Sequence, residues 1–365
     1  MTTSAPTTPT TGPGAALVAE FGPRLDEALA AEFAASPELR GYVVLLRSDD
    51  GFAWQGAAGD ATPDSSFRIA SVTKMFTAAA TLRLVEQGRF DLDDPVALVV
   101  DPATAELLTG AGYDPGAITI RQLLTHTSGL VDFTFDPRLD FVGQVFADPQ
   151  RRWTRREQLE LAMEVPPLGV PGEQFAYTDT GYALLGEIVE RASGVTLGAA
   201  MRQLLRFDEL GIEHTYQESI DPVAESQPVR LHQWWGEVDT FDWDPSLDLF
   251  GGGGLVSTTA DLATFIEALA SGRVFDDAAT FETMQTIPAV NATAGAAAGL
   301  FVRDVAGQQC WGHEGFWGVQ VLRCPDIGLS VVSSRSQATP PPTFSGATLG
   351  AVVLEVLAEL ARSAA

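Results

Sequence analysis

A serine and a lysine stand three residues apart in the segment Ser71-Val72-Thr73-Lys74. In a helix, side chains at this spacing lie one turn apart on the same face, close enough to interact. A serine hydroxyl becomes a good nucleophile when a neighbouring base takes its proton, and a lysine with a lowered pKa can be that base. The start of a helix also favours a developing alkoxide. The spacing therefore predicts a nucleophile, Ser71, activated by Lys74.

The scarcity of lysine supports this interpretation. Of the 22 basic residues, 21 are arginine, and Lys74 is the one lysine of the chain. An arginine effectively never loses its proton, whereas a buried lysine can. Chance survival of a single surface lysine is the alternative, and the count alone does not decide between the two. If Lys74 is the base, it must become neutral before it accepts the proton of Ser71.

Two further segments carry side chains suited to proton transfer or hydrogen bonding. Tyr177-Thr178-Asp179 lies between Gly172 and Gly181, which predicts a loop tip with a tyrosine hydroxyl projecting into a cleft. A half-buried aromatic residue with a satisfied hydroxyl is the alternative. The run from Trp311 to Gly318 opens a predicted strand, and its glycines indicate close approach of another group to the backbone. Within it, His313 can donate a hydrogen bond or titrate near neutral pH.

Signatures of other enzyme classes are absent from the sequence. A His-Glu-x-x-His zinc site fails because position 317 is Trp. There is neither a G-x-S-x-G elbow nor a G-x-x-x-x-G-K-[ST] phosphate loop. The four glycines at 251–254 lack the spacing of a dinucleotide-binding loop, so we interpret them as a flexible cleft wall. We predict no metal and no cofactor.

The elements around these segments predict an α+β fold. Strand-like runs lie toward both ends of the chain, at 42–47, 52–55, 66–69, 300–305, 318–322 and 329–333. Helical patterns occur at 15–35, 72–87, 120–125, 154–164, 182–192, 197–205, 257–270 and 347–361. We expect an antiparallel sheet built from both termini and flanked by helices, with an inserted, mainly helical lobe.

The domain organisation follows from this pattern. Residues 1–14 are predicted to be a flexible Thr/Pro tail, and residues 15–365 a single domain. Its α/β lobe would comprise 15–90 and 290–365, and its helical lobe 91–289.

Composition excludes several partners. The chain has 22 Lys plus Arg against 48 Asp plus Glu, a net charge of −26, which argues against nucleic acids and anionic membranes. No apolar run approaches the roughly 18 residues of a membrane span. The amino terminus has no export-signal pattern, so the sequence predicts a cytoplasmic protein. Cys310 and Cys324 are accordingly predicted to be reduced thiols rather than a disulfide framework or metal cluster. The oligomeric state is not indicated.

Together these segments resemble the serine β-lactamase and DD-peptidase superfamily, in particular its class C-like branch and the family VIII carboxylesterases. Ser71 and Lys74 match its S-x-x-K motif. Tyr177 matches the tyrosine of the Y-x-N element. The triplet His313-Glu314-Gly315 stands where β-lactamases have K-T-G and where esterases or D-aminopeptidases have H-x-G. The similarity extends over about residues 40 to 335, with further matching segments at 123–130 and 254–261.

The resemblance implies acyl-enzyme chemistry. Ser71 would attack an ester or amide carbonyl, and Lys74 and Tyr177 would share the proton transfers. Backbone N–H groups of Ser71 and Phe316 would form the oxyanion hole. His313 would hydrogen-bond the tyrosine or the substrate.

Two positions depart from the family pattern. Asp179 replaces the asparagine of Y-x-N and, when ionised, cannot donate a hydrogen bond. It would either pair with Lys74, raising the pKa of that lysine, or hold a substrate ammonium or amide N–H. His313 and Glu314 replace the lysine and threonine of K-T-G, which removes a cation and adds an anion where a substrate carboxylate would sit. The predicted substrate-binding residues are Asp179, Glu314, Gly315 and Trp317.

The sequence therefore predicts a serine hydrolase that cleaves small neutral or cationic esters through an acyl-enzyme on Ser71. A D-aminopeptidase or amidase, or an acyltransferase, is the alternative that uses the same intermediate. A β-lactamase or DD-peptidase, and a ligand-binding protein without activity, are less favoured. The tryptophans at 234, 235 and 243 lie in an irregular stretch and would either line an apolar acyl pocket or pin the loop.

Overall fold

The part of the chain described by a computed structural model, residues 3–4, 13–338 and 348–364, contains both helices and strands. The helices are α1 (Pro13–Ala34), α2 (Thr73–Glu86), α3 (Pro102–Gly110), α4 (Ile120–Leu124), α5 (Phe141–Ala147), α6 (Arg155–Ala162), α7 (Asp179–Ser193), α8 (Leu197–Leu204), α9 (Phe207–Leu210), α10 (Thr259–Ala270), α11 (Ala278–Gln285) and α12 (Leu349–Ala364). The strands are β1 (Thr3–Ser4), β2 (Gly41–Ser48), β3 (Ala53–Gly59), β4 (Ser66–Arg68), β5 (Tyr216–Gln217), β6 (Trp234–Trp235), β7 (Val238–Asp239), β8 (Leu255–Thr258), β9 (Phe301–Val305), β10 (Gln308–Gly315), β11 (Val319–Cys324) and β12 (Leu329–Arg335).

The main sheet combines strands from both ends of the chain, which confirms the predicted α+β class. Its order is β1-β3-β2-β12-β11-β10-β9, and each neighbouring pair is antiparallel. Successive residues of β2 point to opposite faces. Val43 and Leu45 belong to the larger core with α2 and α10, whereas Val44 and Leu46 pack with α1 and α12. Both faces of the sheet are therefore covered by helices.

Helix α2 lies at the centre of the molecule. Every side chain from Thr73 to Leu84 is buried, and the helix packs against α7 and α8 of the helical lobe. A helix buried on all sides has no solvent-facing stripe, and a charged residue on it needs partners from the protein. Among the described residues, no helix is both long enough and apolar enough to cross a membrane.

A small second sheet brings distant segments together beside α2. Strand β8 pairs with β4 on one side and with β5 on the other. The N–H of Ile69 also donates to the carbonyl of Leu255 at 3.0 Å. The chain entering α2 is thereby fixed next to the glycine run that precedes β8.

Some elements differ from the sequence predictions. Strand β10 was not recognised as a strand, because its polar and glycine-containing sequence lacks a run of β-branched residues. Helices α3, α5 and α11 are short, and the sequence analysis missed them. Helix α10, assigned to the helical lobe by sequence, packs against β12, β2 and β11.

The ends of the chain were predicted as a tail and a terminal helix. Within the predicted tail, Thr3–Ser4 form β1 and pair with β3, and α1 begins at Pro13. Residues 1–2 and 5–12 of that tail lie outside the described residues, as does the predicted start of the last helix at residue 347.

The prediction of two reduced thiols is wrong. Cys310 of β10 and Cys324 of β11 form a disulfide, with their Cα atoms 4.2 Å apart. The pairing of Trp311 with Arg323 sets the two cysteines opposite each other. The sequence gave no sign of this contact because β10 had not been identified as the neighbour of β11.

This disulfide should contribute measurably to stability. The two cysteines are 14 residues apart, and a cross-link of about this loop length reduces the entropy of the unfolded chain. We expect its reduction to lower the free energy of unfolding by about 3 kcal/mol, measured by urea unfolding with and without reductant. Thiol titration of the reduced sample is the control, and an unchanged unfolding midpoint in a fully reduced sample would contradict this expectation.

Candidate active site

Ser71 lies at the turn that joins β4 to α2. The preceding residue, Ala70, has a φ of 45°, which is unusual for a residue with a Cβ atom and occurs where surrounding structure enforces it. Ser71 follows in a single 3₁₀ turn that runs directly into α2. The end of β10 packs against this turn so closely that a Cβ atom at Gly315 would overlap the carbonyl of Ile69. The position of the serine is thus fixed from both sides.

Lys74 is completely buried and has three hydrogen-bond acceptors. Its Nζ donates to Ser71 Oγ at 2.9 Å and to the carbonyl of Gly252 at 2.7 Å, and it forms an ion pair with Asp179 Oδ1. An ammonium group has three N–H donors, and the three acceptors match them. The geometry therefore suits the charged form of the lysine.

The pKa of Lys74 is accordingly raised rather than lowered. Burial lowers it, but the negative charge of Asp179 and the hydrogen bond to that carboxylate more than offset the burial. The shift is opposite to the lowered pKa that a neutral lysine base would need. Of the two roles considered for Asp179, pairing with Lys74 is the one the structure shows.

Tyr177 completes the group of proton-carrying side chains. Its ring stacks on that of His126 with the centroids 4.4 Å apart, and Lys74 Nζ lies 5.0 Å from the centre of the same ring. Burial raises the pKa of Tyr177 to about 12, against the opposing effect of Lys74. The phenol is therefore protonated at neutral pH.

His313 is a neutral hydrogen-bonding group. Burial, with the charge of Lys74 adding to it, lowers the pKa of His313 to about 3, so titration near neutral pH is not its role. Its Nδ1 lies 2.7 Å from the carbonyl of Glu314, and because a carbonyl only accepts, Nδ1 carries the proton. The bare Nε2 is buried and has no hydrogen-bond partner among the described residues. It is thus a free acceptor.

The predicted residues next to His313 lie in different places. Successive residues of β10 alternate between the faces of the sheet, and Glu314 pairs with Arg303 at 2.6 Å. The structure does not place Glu314 in the cavity beside Ser71. Phe316 and Trp317 do line that cavity, as does Asp179.

The cavity beside Ser71 has a volume of about 500 Å³, including its open mouth. Its walls are mainly aromatic and aliphatic: Phe135, Phe141, Val142, Val145, Trp235, Leu247, Phe316 and Trp317. Of the predicted tryptophans, Trp235 therefore reaches the cavity. Trp243 packs behind it, with ring centroids 6.3 Å apart.

The glycine run at 251–254 forms one wall of the site as closely packed backbone. A Cβ atom at Gly252 would lie 2.8 Å from Asp179 Oδ1, and one at Gly253 would overlap the carboxylate of Asp248. Gly251 and Gly254 have φ values of 118° and 95°, which residues with a Cβ rarely adopt. Glycine is required here because neighbouring carboxylates approach the backbone closely and because the φ values are positive. The interpretation as a flexible wall did not include this close packing.

Several residues of the site were missed by the sequence analysis. Thr134 donates to Asp179 Oδ2 at 3.0 Å, and the backbone N–H of Asp179 donates to Asp132 at 3.0 Å. Burial, followed by the charge of Asp179, raises the pKa of Asp132 to about 7. His126 and Asp132 lie in or just after the segment 123–130 that had supported the family resemblance, which was the available signal.

Comparison with known proteins agrees with this geometry. The sequence profile of the Beta-lactamase family matches residues 27–354, so the chain belongs to the Beta-lactamase family. It is similar to esterase EstB of Burkholderia gladioli, with 29% identity over 62% of this chain and 62% of the esterase. It is also similar to a putative D-alanyl-D-alanine carboxypeptidase of Salmonella heidelberg, with 24% identity over 74% of this chain and 69% of the relative.

Solved structures give the same picture. A D-stereospecific amidohydrolase from a Streptomyces species has 28% identity and a TM-score of 0.73, over 87% of this chain and 94% of its own. D-amino acid amidase from Ochrobactrum anthropi, in complex with D-phenylalanine, shares the fold with a TM-score of 0.74 and 22% identity, over 94% and 99% of the two chains. The protein is a serine hydrolase of the β-lactamase fold.

The buried neutral His313 should make folding pH-dependent. Between pH 6.5 and about 3, the unfolded chain binds a proton at residue 313 that the folded chain does not, so stability falls on acidification. From pH 6 to 4.5, wild type should lose on the order of 1 kcal/mol of unfolding free energy per pH unit relative to His313→Gln. Urea unfolding of both proteins measures this difference, and parallel pH profiles would show that the expectation is incorrect.

Proposed function

We propose that this protein hydrolyses small neutral or cationic esters through an acyl-enzyme on Ser71. The observation that carries the proposal is the hydrogen-bonded group formed by Ser71, Lys74 and Asp179 at the wall of an apolar cavity, with the Tyr177 ring centre 5.0 Å from Lys74 Nζ. The serine hydroxyl attacks the carbonyl carbon. The carbonyl oxygen, negatively charged in the tetrahedral intermediate, accepts hydrogen bonds from the backbone N–H groups of Ser71 and Phe316, which contribute about 3–4 kcal/mol.

The proton of Ser71 needs an acceptor other than a neutral lysine. Tyr177 is protonated, and Lys74 carries a full charge in the resting protein. Asp179 is the carboxylate in contact with Lys74. We infer that Lys74 transfers one N–H proton to Asp179 Oδ1 as it takes the Oγ proton of Ser71. The lysine stays charged, the carboxylate becomes neutral, and the serine oxygen bonds to the carbonyl carbon.

The later steps reverse this transfer. As the bond to the leaving group breaks, the Tyr177 hydroxyl protonates the leaving oxygen or nitrogen and regains a proton from Lys74, which recovers its own from Asp179. Water then enters, loses a proton to Asp179 through Lys74, and attacks the acyl carbonyl. As the bond between the acyl carbon and Ser71 Oγ breaks, that proton returns through Lys74 to Oγ, which releases the acid and restores the serine hydroxyl. The bare Nε2 of His313 can accept a hydrogen bond from Tyr177 or from a substrate N–H.

The charges of the site support a substrate that is not anionic. Asp132, Asp179 and Asp248 all interact electrostatically with Lys74, and the chain carries a net charge of −26. Penicillins and cell-wall peptides carry a carboxylate, which this field repels. A β-lactamase or DD-peptidase activity is therefore disfavoured.

A second candidate is hydrolysis of D-amino-acid amides. The amidohydrolase of Streptomyces, at 28% identity over most of both chains, favours it, and the same acyl-enzyme would form. Transfer of the acyl group to an alcohol or amine instead of water uses the same intermediate. A panel of p-nitrophenyl esters and D-amino-acid amides, with added amine or alcohol, distinguishes these activities.

The place of action is a separate part of the proposal. The sequence predicts a cytoplasmic protein, but the disulfide between two fully buried cysteines is typical of an oxidising compartment and counts against that location. The redox state of Cys310 and Cys324 in protein taken directly from its native cells decides between the two.

The acyl-enzyme can be observed directly. A fluorophosphonate or p-nitrophenyl ester should add mass to one peptide, the one that contains Ser71, and Ser71→Ala should remain unlabelled. Lys74→Arg should also fail to acylate, because a guanidinium keeps the charge but cannot exchange its proton. Intact-protein mass spectrometry measures both, and full labelling of either variant would refute the assigned roles.

The route of the proton is tested at Asp179. If this carboxylate is the final acceptor, Asp179→Asn should lower kcat roughly 100-fold or more at every pH from 6 to 10, the loss typical of a missing general base. Thr134→Val is the matched control, since it removes a hydrogen bond to Asp179 and keeps the charge. If Asp179→Asn instead retains the rate and shifts the pH profile to lower pH, the neutral form of Lys74 is the base and the relay is wrong.

A further inference from the structure

We propose that the active-site cavity binds an acyl group that carries a positive charge remote from the scissile carbonyl, and that Asp248 recognises this charge. The proposal deepens the proposed function and rests on it, because it assumes that the acyl group is attached to Ser71. Its chemical class of substrate is an ester whose acyl chain ends in a primary amine or a guanidine.

Asp248 is held rigidly in the cavity wall. It is the last residue of a 3₁₀ turn, Pro245–Asp248, that begins with Asp244 accepting from the N–H of Ser246 at 2.9 Å. Gln158 of α6 donates to the carbonyls of Ser246 and Leu247, each at 3.0 Å. The carboxylate itself lies against Gly253, where any side chain would collide with it. The fold therefore fixes this carboxylate in the cavity that Ser71 also lines.

The carboxylate of Asp248 has no hydrogen bond or ion pair within the described part of the chain. Of the two cations that act on it, Lys74 has its three donors engaged by Ser71, Asp179 and Gly252. The other, Arg68, is engaged as described below. Among the described residues, Asp248 is thus a carboxylate on which cations act from a distance, without a direct ion pair.

Arg68 directs four of its five N–H donors to groups other than Asp248. It binds the carboxylate of Glu218 at 2.6 and 3.1 Å and the carbonyls of Thr240 and Trp243 at 2.9 and 2.8 Å. This bidentate pair is buried, and Glu218 also lies 3.5 Å from Arg230. Arg68 and Glu218 line a second, small cavity together with Asp248, and among the described residues neither arginine forms a hydrogen bond or ion pair with Asp248.

The pKa of Asp248 is consistent with the absence of a direct ion pair. Burial, and then the negative charge of Asp179, raise the pKa of Asp248 to about 7, with Glu218 adding to them and Lys74 and Arg68 opposing. A substrate cation in the cavity would supply the compensating charge, and a charge-assisted hydrogen bond forms in surroundings of low polarity.

The walls between Ser71 and Asp248 suit an aliphatic stem. Trp235, Leu247, Phe316 and Trp317 line the cavity and offer apolar contact to methylene groups. A purely apolar acyl chain would leave Asp248 desolvated and unpaired, which costs free energy. An acyl chain that ends in a carboxylate would be repelled. A methylene chain with a terminal cation would make apolar contacts with the walls and pair with the carboxylate of Asp248.

An amine on the carbon next to the carbonyl would occupy a different part of the cavity. It would lie near Ser71 and so beside Asp179 and Thr134, whereas Asp248 requires an amine separated from the carbonyl by several methylene groups. The position of the amine in the substrate therefore distinguishes the two carboxylates.

The experiment compares p-nitrophenyl esters that differ in one group. A series of ω-aminoacyl esters with increasing chain length is paired with alkanoyl esters of equal length, and α-aminoacyl esters form a third arm. For one or more chain lengths, wild type should prefer the ω-amino ester by about tenfold or more in kcat/KM. In Asp248→Asn this ratio should fall toward one. Glu237→Gln, which removes an equal charge from a side chain that is 91% exposed, should keep the wild-type ratio.

The pH dependence of the same ratio, measured on wild type alone, supports the test even where the variant does not fold. Groups that act on both esters cancel in the ratio, and the ω-amine stays charged below pH 8. As Asp248 takes up a proton below about pH 7, the preference should decline. The surrounding charged groups that set this transition are Asp179, Lys74, Arg68 and Glu218.

The outcomes separate the two proposals. A ratio near or below one at every chain length, a preference that survives in Asp248→Asn, or a preference confined to α-aminoacyl esters would each overturn the role of Asp248. Acylation of Ser71 by the neutral esters tests the hydrolase function independently of that result. Absence of any acylation would instead reject the proposed function.

Discussion

A buried ammonium group needs three acceptors and a counter-ion, and this requirement organises the centre of the molecule. The acceptors of Lys74 come from three separate places: the turn before α2, the first residue of α7, and the glycine run before β8. Removing one partner of a buried ion pair leaves an uncompensated charge and is strongly destabilising. The turn that carries Ser71, the start of α7 and the glycine run before β8 are therefore held together by one charged lysine.

Asp179 sets the charge of the buried lysine. A neutral side chain there would leave burial as the dominant influence and lower the pKa of Lys74, whereas the carboxylate raises it. The protein then holds a fully charged lysine and a protonated tyrosine at rest. In the proposed mechanism, the proton would move along the hydrogen bonds that Lys74 already makes to Ser71 and Asp179. The same carboxylate would disfavour an anionic substrate in the proposed reaction.

The sequence analysis identified the parts of this site whose arrangement depends on local spacing. Ser71 and Lys74 are one helical turn apart wherever they fold, and the strands at the two ends of the chain follow from hydrophobic patterning. It missed the features that depend on contacts between segments far apart in the sequence. The direction of the pKa shift of Lys74 depends on the contact with Asp179, and the disulfide depends on β10 lying beside β11. Asp248 belongs to no sequence motif. Its role was not predictable because it depends on close packing against Gly253 and on Arg68 binding other acceptors.

The single lysine has a practical consequence for anyone who handles this protein. Because Lys74 is completely buried, reagents that modify side-chain amines find no accessible target in the folded chain. Amine-directed crosslinkers, dyes and resin couplings will leave the side chains of the native protein unmodified. Carbodiimide chemistry, by contrast, meets a surface rich in the 48 acidic residues. Immobilisation of the working enzyme should therefore proceed through its carboxylates.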